Sequence, residues 1–246
     1  ALSALFLLAV YLVLPRIVFG SAYADMRLAP FVFGIALIAL RSKTGASMRG
    51  ASTIAMLGLA FYGVRIAATT VSYYFYSDRY DRVLAALDHV PVGAKLVTFI
   101  GRRCVDDWSY SRLEHIPAIA LERRLAYTND QWSMAGGQLL TVRYWPAGGF
   151  AHDPSQIVTA RYCRGEWWRP IDKAMRWFPR DAFDYVWLLN PPTYDPALNR
   201  GLIPIWRSGR DVLFRVDHRQ DAVLREDGVG NGQPLFPRRK GVSSAR

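Results

Sequence analysis

The sequence is poor in the residues that usually announce chemistry. Two cysteines, Cys104 and Cys163, and four histidines are spread over 246 residues, with no CxxC pair and no metal-ligand spacing. HExxH, GxSxG and the Walker glycine loop are all missing. These absences exclude the common zinc-peptidase, hydrolase and P-loop readings, and neither a metal nor a cofactor is expected. Acidic side chains are nearly missing from the first 76 residues, where Asp25 stands against six basic groups. The chain opens ALSALFLLAVYLVL without a basic n-region, which fits a signal peptide poorly. The expectation is the C-terminal part of a longer multi-span protein whose first helix is truncated.

What is present is apolar and unevenly placed. Hydrophobic residues make up 51% of the chain, and they gather in three runs near its start. The first is residues 1–14, followed by Pro15-Arg16. The second is residues 28–40, short for a crossing unless the helix starts near Ala22, and Pro30 favours a start close to itself. The third is residues 50–76, longer than the roughly 20 residues a bilayer crossing takes. Arg41, Lys43 and Arg49 lie between the second and third runs with no acidic residue among them, which places that connector on the cytoplasmic side. Tyr73-Tyr74-Phe75-Tyr76 then forms an aromatic belt at the opposite interface.

The fold class read from this is mixed α+β/α/β, with helical transmembrane segments followed by a small extracytoplasmic layered α/β domain. Its expected parts are about three membrane helices over 1–76, a periplasmic α/β domain over 77–218 and a disordered basic tail over 219–246. The expected place is the bacterial inner membrane, crossed more than once. A formal charge of +11 raises a nucleic-acid reading, but hydrophobic spans confine the protein to a membrane. Membrane lipids or a phosphate-linked lipid are the better partners for that charge.

Beyond residue 77 the pattern is α/β. Asp78 reads as the N-cap of a helix over 79–89, with Tyr80, Val83, Leu84 and Leu87 on one face. Pro91-Val92-Gly93 ends it, and 95–100 reads as a buried strand. A helix over 113–125, a strand over 138–144 and an irregular stretch over 145–170 follow. After them come a short helix at 171–177, a strand at 183–189, a short helix at 195–200, apolar 203–206 and a last strand at 212–216. Helices alternating with apolar strands indicate a layered sheet.

Each candidate site has a plainer alternative. Gly101-Arg102-Arg103-Cys104, at the end of a strand, is where many α/β domains bind ligands, or it is a solvated basic loop. Glu114-His115 offers an acid beside an imidazole, yet neighbours on a helix do not face each other. Asp106-Asp107, His152-Asp153 and Asp217-His218 are isolated dipeptides. Trp145, Trp167 and Trp168 can stack on sugar rings, lie on a bilayer or fill a core. Cys104 and Cys163 form a disulfide in an oxidising compartment or sit reduced in a core. Arg65 interrupts the third run, and a charge within a span marks function by default. It pairs with Asp25, lines a polar cavity near Asp25 and Arg27, or snorkels alone.

An apolar helix ending near LP, the loop GSAYADMRLAP, two more spans and a helix–PVG–strand unit together resemble the C-terminal part of polytopic GT-C-type membrane glycosyltransferases. Tyr23-Ala24-Asp25-Met26-Arg27 and residues 82–100 carry the resemblance most clearly. It implies hexosyl or pentosyl transfer from a polyprenyl-phosphate sugar; Asp25, Arg27 and Arg65, singled out by their charge in and beside the spans, are the substrate-binding candidates. It also implies a catalytic acid in a first outer loop that these residues do not include, so none is assigned. The alternative is a non-catalytic, membrane-anchored periplasmic domain that binds a protein partner or an envelope glycan.

Overall fold

The longest element of the computed structural model is a single helix, α3 (Met48–Leu84), of 37 residues and thus roughly 55 Å. The structure describes residues 2–15, 17–18, 21–22, 24–39, 47–105, 113–133, 139 and 141–230. It divides into two units, Ala1–Tyr74 with Met134–Leu139, and Phe75–Ser133 with Leu140–Arg246.

In the first unit α1 (Leu2–Val13) packs against α2 (Ala24–Ile38), and between them β1 (Ile17–Val18) pairs antiparallel with β2 (Ser21–Ala22). Pro30 lies inside α2 rather than at its start, so the helix loses one backbone donor there. Among the described residues only α3 is long and apolar enough to cross a membrane; α1 and α2 are shorter apolar helices. Every residue from 51 to 75 is exposed.

Asp78 does not start a new helix. No glycine or proline occurs between Val64 and Pro91, so nothing breaks the backbone ladder. α3 passes through Asp78 into a 3-10 turn, Ala85–His89. The Asp78 carboxylate instead meets Arg82 one turn on, at 2.6 Å, an exposed pair worth a few tenths of a kcal/mol. Past Tyr76 the helix changes character, because Val83, Leu84, Ala86 and Leu87 are buried.

The second unit is built on a seven-stranded mixed sheet of order β6-β5-β3-β7-β9-β8, with β4 also paired to β3. Its strands are β3 (Lys95–Gly101), β4 (Tyr127–Thr128), β5 (Ile157–Thr159), β6 (Arg169–Pro170), β7 (Tyr185–Leu189), β8 (Leu202–Ser208) and β9 (Asp211–Val216). β3 to β7 run parallel; β9 and β8 form a hairpin antiparallel to β7. β3 and β7 are apolar on both faces because both faces are covered. Val97, Phe99, Val186 and Leu188 meet Met175 of α5 (Ile171–Trp177) and Phe178 on one side. Leu96, Ile100, Trp187 and Leu189 meet Leu84, Leu87 and Ala120 of α4 (Ile119–Arg124) on the other.

β3 has a gap on one edge, since β4 pairs only at Lys95 and Leu96 and β5 only at Ile100 and Gly101. Asn129 fills it with its side chain. Its Oδ1 accepts from the Thr98 N–H at 2.7 Å and the Thr98 hydroxyl at 2.8 Å, and its Nδ2 donates to the Thr98 carbonyl at 3.2 Å. Ser155 holds the amide in place, accepting from Nδ2 at 3.0 Å and donating to the Asn129 carbonyl at 3.2 Å.

Several expectations change here. Residues 141–144 of the expected strand at 138–144 form none, and 138 and 140 lie outside the described residues. The irregular stretch supplies β5 and β6 instead, which are too short to show a period. The expected helix at 113–125 is a 3-10 turn, Ile116–Ala118, followed by α4. Within the expected tail, α6 (Asp221–Glu226) follows a 3-10 turn and Leu224 is buried. Gly230 N–H donates to the Arg176 carbonyl at 2.7 Å, and buried Arg180 donates to the carbonyls of Leu198 and Arg200 at 2.8 and 2.7 Å. Residues 231–246 lie outside the described residues.

Replacing Asn129 with Ala strips the middle of β3 of three bonds at a buried edge, and stability should fall by about 3 kcal/mol. Urea unfolding of the purified chain reads this; an unchanged midpoint would show that the amide does not hold the sheet together.

Candidate functional site

Where β3, β5 and β7 end, they leave a crevice of about 470 Å³ lined by Arg102, Arg103, Arg161 and Arg210 together with Cys104 and Asn190. Its place follows from topology. From β3 the sheet grows through β5 and β6 on one side and through β7 on the other. The carboxyl ends of strands at such a reversal of order are where open α/β sheets bind ligands.

Each wall has a local cause. β3 ends in Gly101, where a Cβ would lie 1.9 Å from the Asn190 carbonyl oxygen, so only glycine permits this approach. Pro191-Pro192 stops β7, and Asn190 takes a left-handed conformation with φ of 43°. Its N–H donates to Asp211 Oδ1 at 2.6 Å. Arg210, in the β8–β9 turn, donates to the Pro191 carbonyl. Arg102 lies 3.1 Å from Glu114 Oε1 and 4.4 Å above the Trp168 ring, an ion pair and a cation–π contact that fix its guanidinium. A disulfide between Cys104 and Cys163, with Cα atoms 5.2 Å apart, ties the segment after β3 to the one after β5.

Among the described lining residues there is no carboxylate and no imidazole. The described lining is therefore basic.

The other candidates separate. Glu114 is buried against Arg102 while His115 is exposed, so the two do not act as a pair. Asp217 accepts from Arg219 and Gln220, whereas His218 lies 3.9 Å from Asp184. His152 turns to the Asp153 carbonyl. Asp106-Asp107 lies outside the described residues. Trp145 and Trp167 point outward, 84% and 66% exposed, and Trp168 backs Arg102. In the first unit Arg27 and Arg65 are exposed on α2 and α3, and neither has an ion pair among the described residues. The Asp25 side chain is outside the described set.

Sequence reading reached the Gly101–Cys104 wall but missed Arg161, Asn190 and Arg210. These come from separate strand ends, and no linear motif joins them. Compared with family models, curated proteins and solved structures, the chain matches none.

A second cluster holds a titratable group under the sheet. Asp130 is buried, accepts from the Thr128 hydroxyl through Oδ1, and its Oδ2 has no hydrogen-bond partner among the described residues. Burial pushes its carboxyl from 3.8 up to about 6; Thr128, His115 and the backbone N–H groups of Asp130 and Ala118 offset this only in part. A raised folded-state value means that the proton is held more tightly in the folded chain. The stabilisation is complete below about pH 4 and is lost as pH rises through about 6, a change of roughly 3 kcal/mol. Asp130→Asn should flatten that slope in unfolding measurements from pH 4 to 7; an unaltered slope would assign it to other groups.

Proposed function

We propose that this chain belongs to an integral protein of the bacterial inner membrane that crosses it more than once, with the α/β unit in the periplasm. In this reading the protein transfers a sugar from a polyprenyl-phosphate donor. The observation that carries the placement is an exposed apolar helix, α3, that runs without a break toward a disulfide-bonded unit. Disulfides persist in oxidising compartments, and the basic connector at 41–49 belongs by its charge on the opposite, cytoplasmic side. The aromatic cluster at 73–76 marks the outer interface in the same direction. α1 and α2 are shorter than α3 and cross with tilt or local thinning of the bilayer.

The transferase reading is supported by the GT-C-type resemblance and by the arginine-lined crevice, whose charge suits a phosphate-linked lipid. Asp25, Arg27 and Arg65 serve that donor in the membrane part. A second reading has one observation in its favour: the described crevice walls hold no carboxylate or imidazole. On that reading the unit is a membrane-anchored binding domain, with Trp145 and Trp167 presented to a protein partner or an envelope glycan.

The full-length protein should remain in membranes after alkaline carbonate washing and transfer sugar from a polyprenyl-phosphate donor in proteoliposomes. Arg65→Leu should lower transfer at least tenfold (about 1.4 kcal/mol) at equal protein level. Transfer unchanged in the variant removes Arg65 from the donor path. Membrane retention with no transfer from any such donor favours the binding domain, and release by carbonate overturns both readings.

A further inference from the structure

We infer that the carboxyl end of the sheet, where β3, β5 and β7 stop, is the face that the α/β unit turns to the headgroups of the bilayer. This placement rests on α3 crossing the membrane, and sugar transfer plays no part in it. The chain enters the second unit at Phe75, inside α3 and directly after the exposed apolar run. Whichever end of the sheet lies beside Phe75 is therefore the end near the bilayer, and the tilt of the helix does not change this.

Two side chains of α3 mark that end. Tyr80 is within electrostatic reach of Glu114, which pairs with Arg102, the residue after β3. Arg79 is within reach of the Asp211 carboxylate at the start of β9, which also accepts from the Asn190 N–H just past β7. Both neighbours belong to the carboxyl ends of β3 and β7. One turn further on, Val83 and Leu84 lie in the core with Leu96 and Ile100. The chain then reaches Pro91-Val92-Gly93 at the opposite end, where the Lys95 N–H donates to Asp184 Oδ2 at 2.8 Å, just ahead of β7. The end of α3 and β3 thus run antiparallel, and their lengths agree. Residues 75–84 rise about 15 Å as α-helix and 85–89 about 10 Å as a 3-10 turn. The seven residues of β3 return about 23 Å. Gly101 therefore comes back level with Phe75 and Tyr76.

Exposed tryptophans do not choose between the two ends, because one stands near each. Trp167 is the neighbour of Trp168, whose ring lies 4.4 Å from the Arg102 guanidinium at the carboxyl end. Trp145 follows Tyr144, whose ring lies under the Lys95 ammonium at the amino end. The entry of α3 gives them different surroundings. Trp167 belongs with Phe75 and Tyr76 at the headgroup level, where indole rings favour the interface. Trp145 belongs about 25 Å further out, in water. The crevice beside Arg102, Asn190 and Arg210 then lies at the leaflet, so a ligand carried on a lipid reaches it by diffusion in the plane of the membrane.

The placement is read by labelling the full-length chain in nanodiscs. Both native cysteines are in the disulfide, so a maleimide fluorophore attaches only to an introduced cysteine. Thr193→Cys is an exposed change after β7, and Val92→Cys an exposed change in the turn before β3. Lipids carrying a nitroxide on the headgroup should remove most of the emission from the label at 193 and leave the label at 92 unchanged. Both labelled chains should keep the parent thermal midpoint. A label at Ala60→Cys, in the middle of the apolar run, should be quenched by a nitroxide on the acyl chain. Stronger quenching at 92 than at 193, or equal quenching at both, would overturn the placement. So would no quenching at either position while Ala60→Cys is quenched, a result that leaves the crossing of α3 intact. No quenching at Ala60→Cys defeats the crossing and this placement with it. None of these readings involves sugar transfer, so a failed transfer assay leaves them intact.

Discussion

The exposed apolar surface of α3 is the constraint on which the rest of the structure depends. Phe61, Tyr62 and Val64 are each more than 60% exposed, and so are Tyr73, Tyr74 and Phe75. Apolar area in water costs about 25 cal/mol per Å², so a helix that exposes this much apolar side chain is stabilised by a non-aqueous surrounding. In the proposed placement the bilayer supplies it. The absence of glycine and proline from 64 to 90 then gives this helix its second property. The helix that carries the apolar surface runs on without a break, and its last turn contributes Val83 and Leu84 to the core of the α/β unit. The exposed apolar run and part of the α/β core share one element.

Within the α/β unit, the same accounting of unsatisfied groups shapes the sheet and the crevice. β3 is buried on both faces and Thr98 at its edge is fully buried, so Asn129 closes the gap that β4 and β5 leave. With the edge closed, the parallel strands end together, and the chain must turn away at Gly101, Thr159 and Asn190. Those turns place arginines at one spot. The Glu114 carboxylate pairs with Arg102, and the disulfide ties the segment after β3 to the one after β5. Charge that would be dispersed on an ordinary basic surface is here concentrated at the carboxyl end of a sheet.

The parts legible in the sequence were those with long or dense signals. The apolar run at 50–76, the strands at 95–100 and 212–216 and the helix at 171–177 all stand close to where their patterns put them. The misses have physical causes. Asp78 looks like a cap by type, but a cap matters only where a helix begins, and nothing interrupts this one. β5 and β6 have three and two residues, so their pairing is decided by neighbours far away in sequence. The segment after Arg219 looks like a tail by composition, yet Leu224 is buried and the Gly230 N–H donates to the Arg176 carbonyl of α5. The Gly101–Cys104 wall showed through as a glycine at a strand end. The facing arginines did not, because only the sheet order brings residues 102, 161 and 210 together. The pairing of the two cysteines stayed open for the same reason.

The central claim, that the α/β unit lies outside the cytoplasm, is tested most directly by thiol trapping in intact cells. Cells are quenched with acid and alkylated without reductant, and labelling at Cys104 and Cys163 is measured in the membrane-bound protein. A disulfide-bonded unit in the periplasm predicts no labelling until reductant is added. Full labelling of both cysteines before reduction would contradict it.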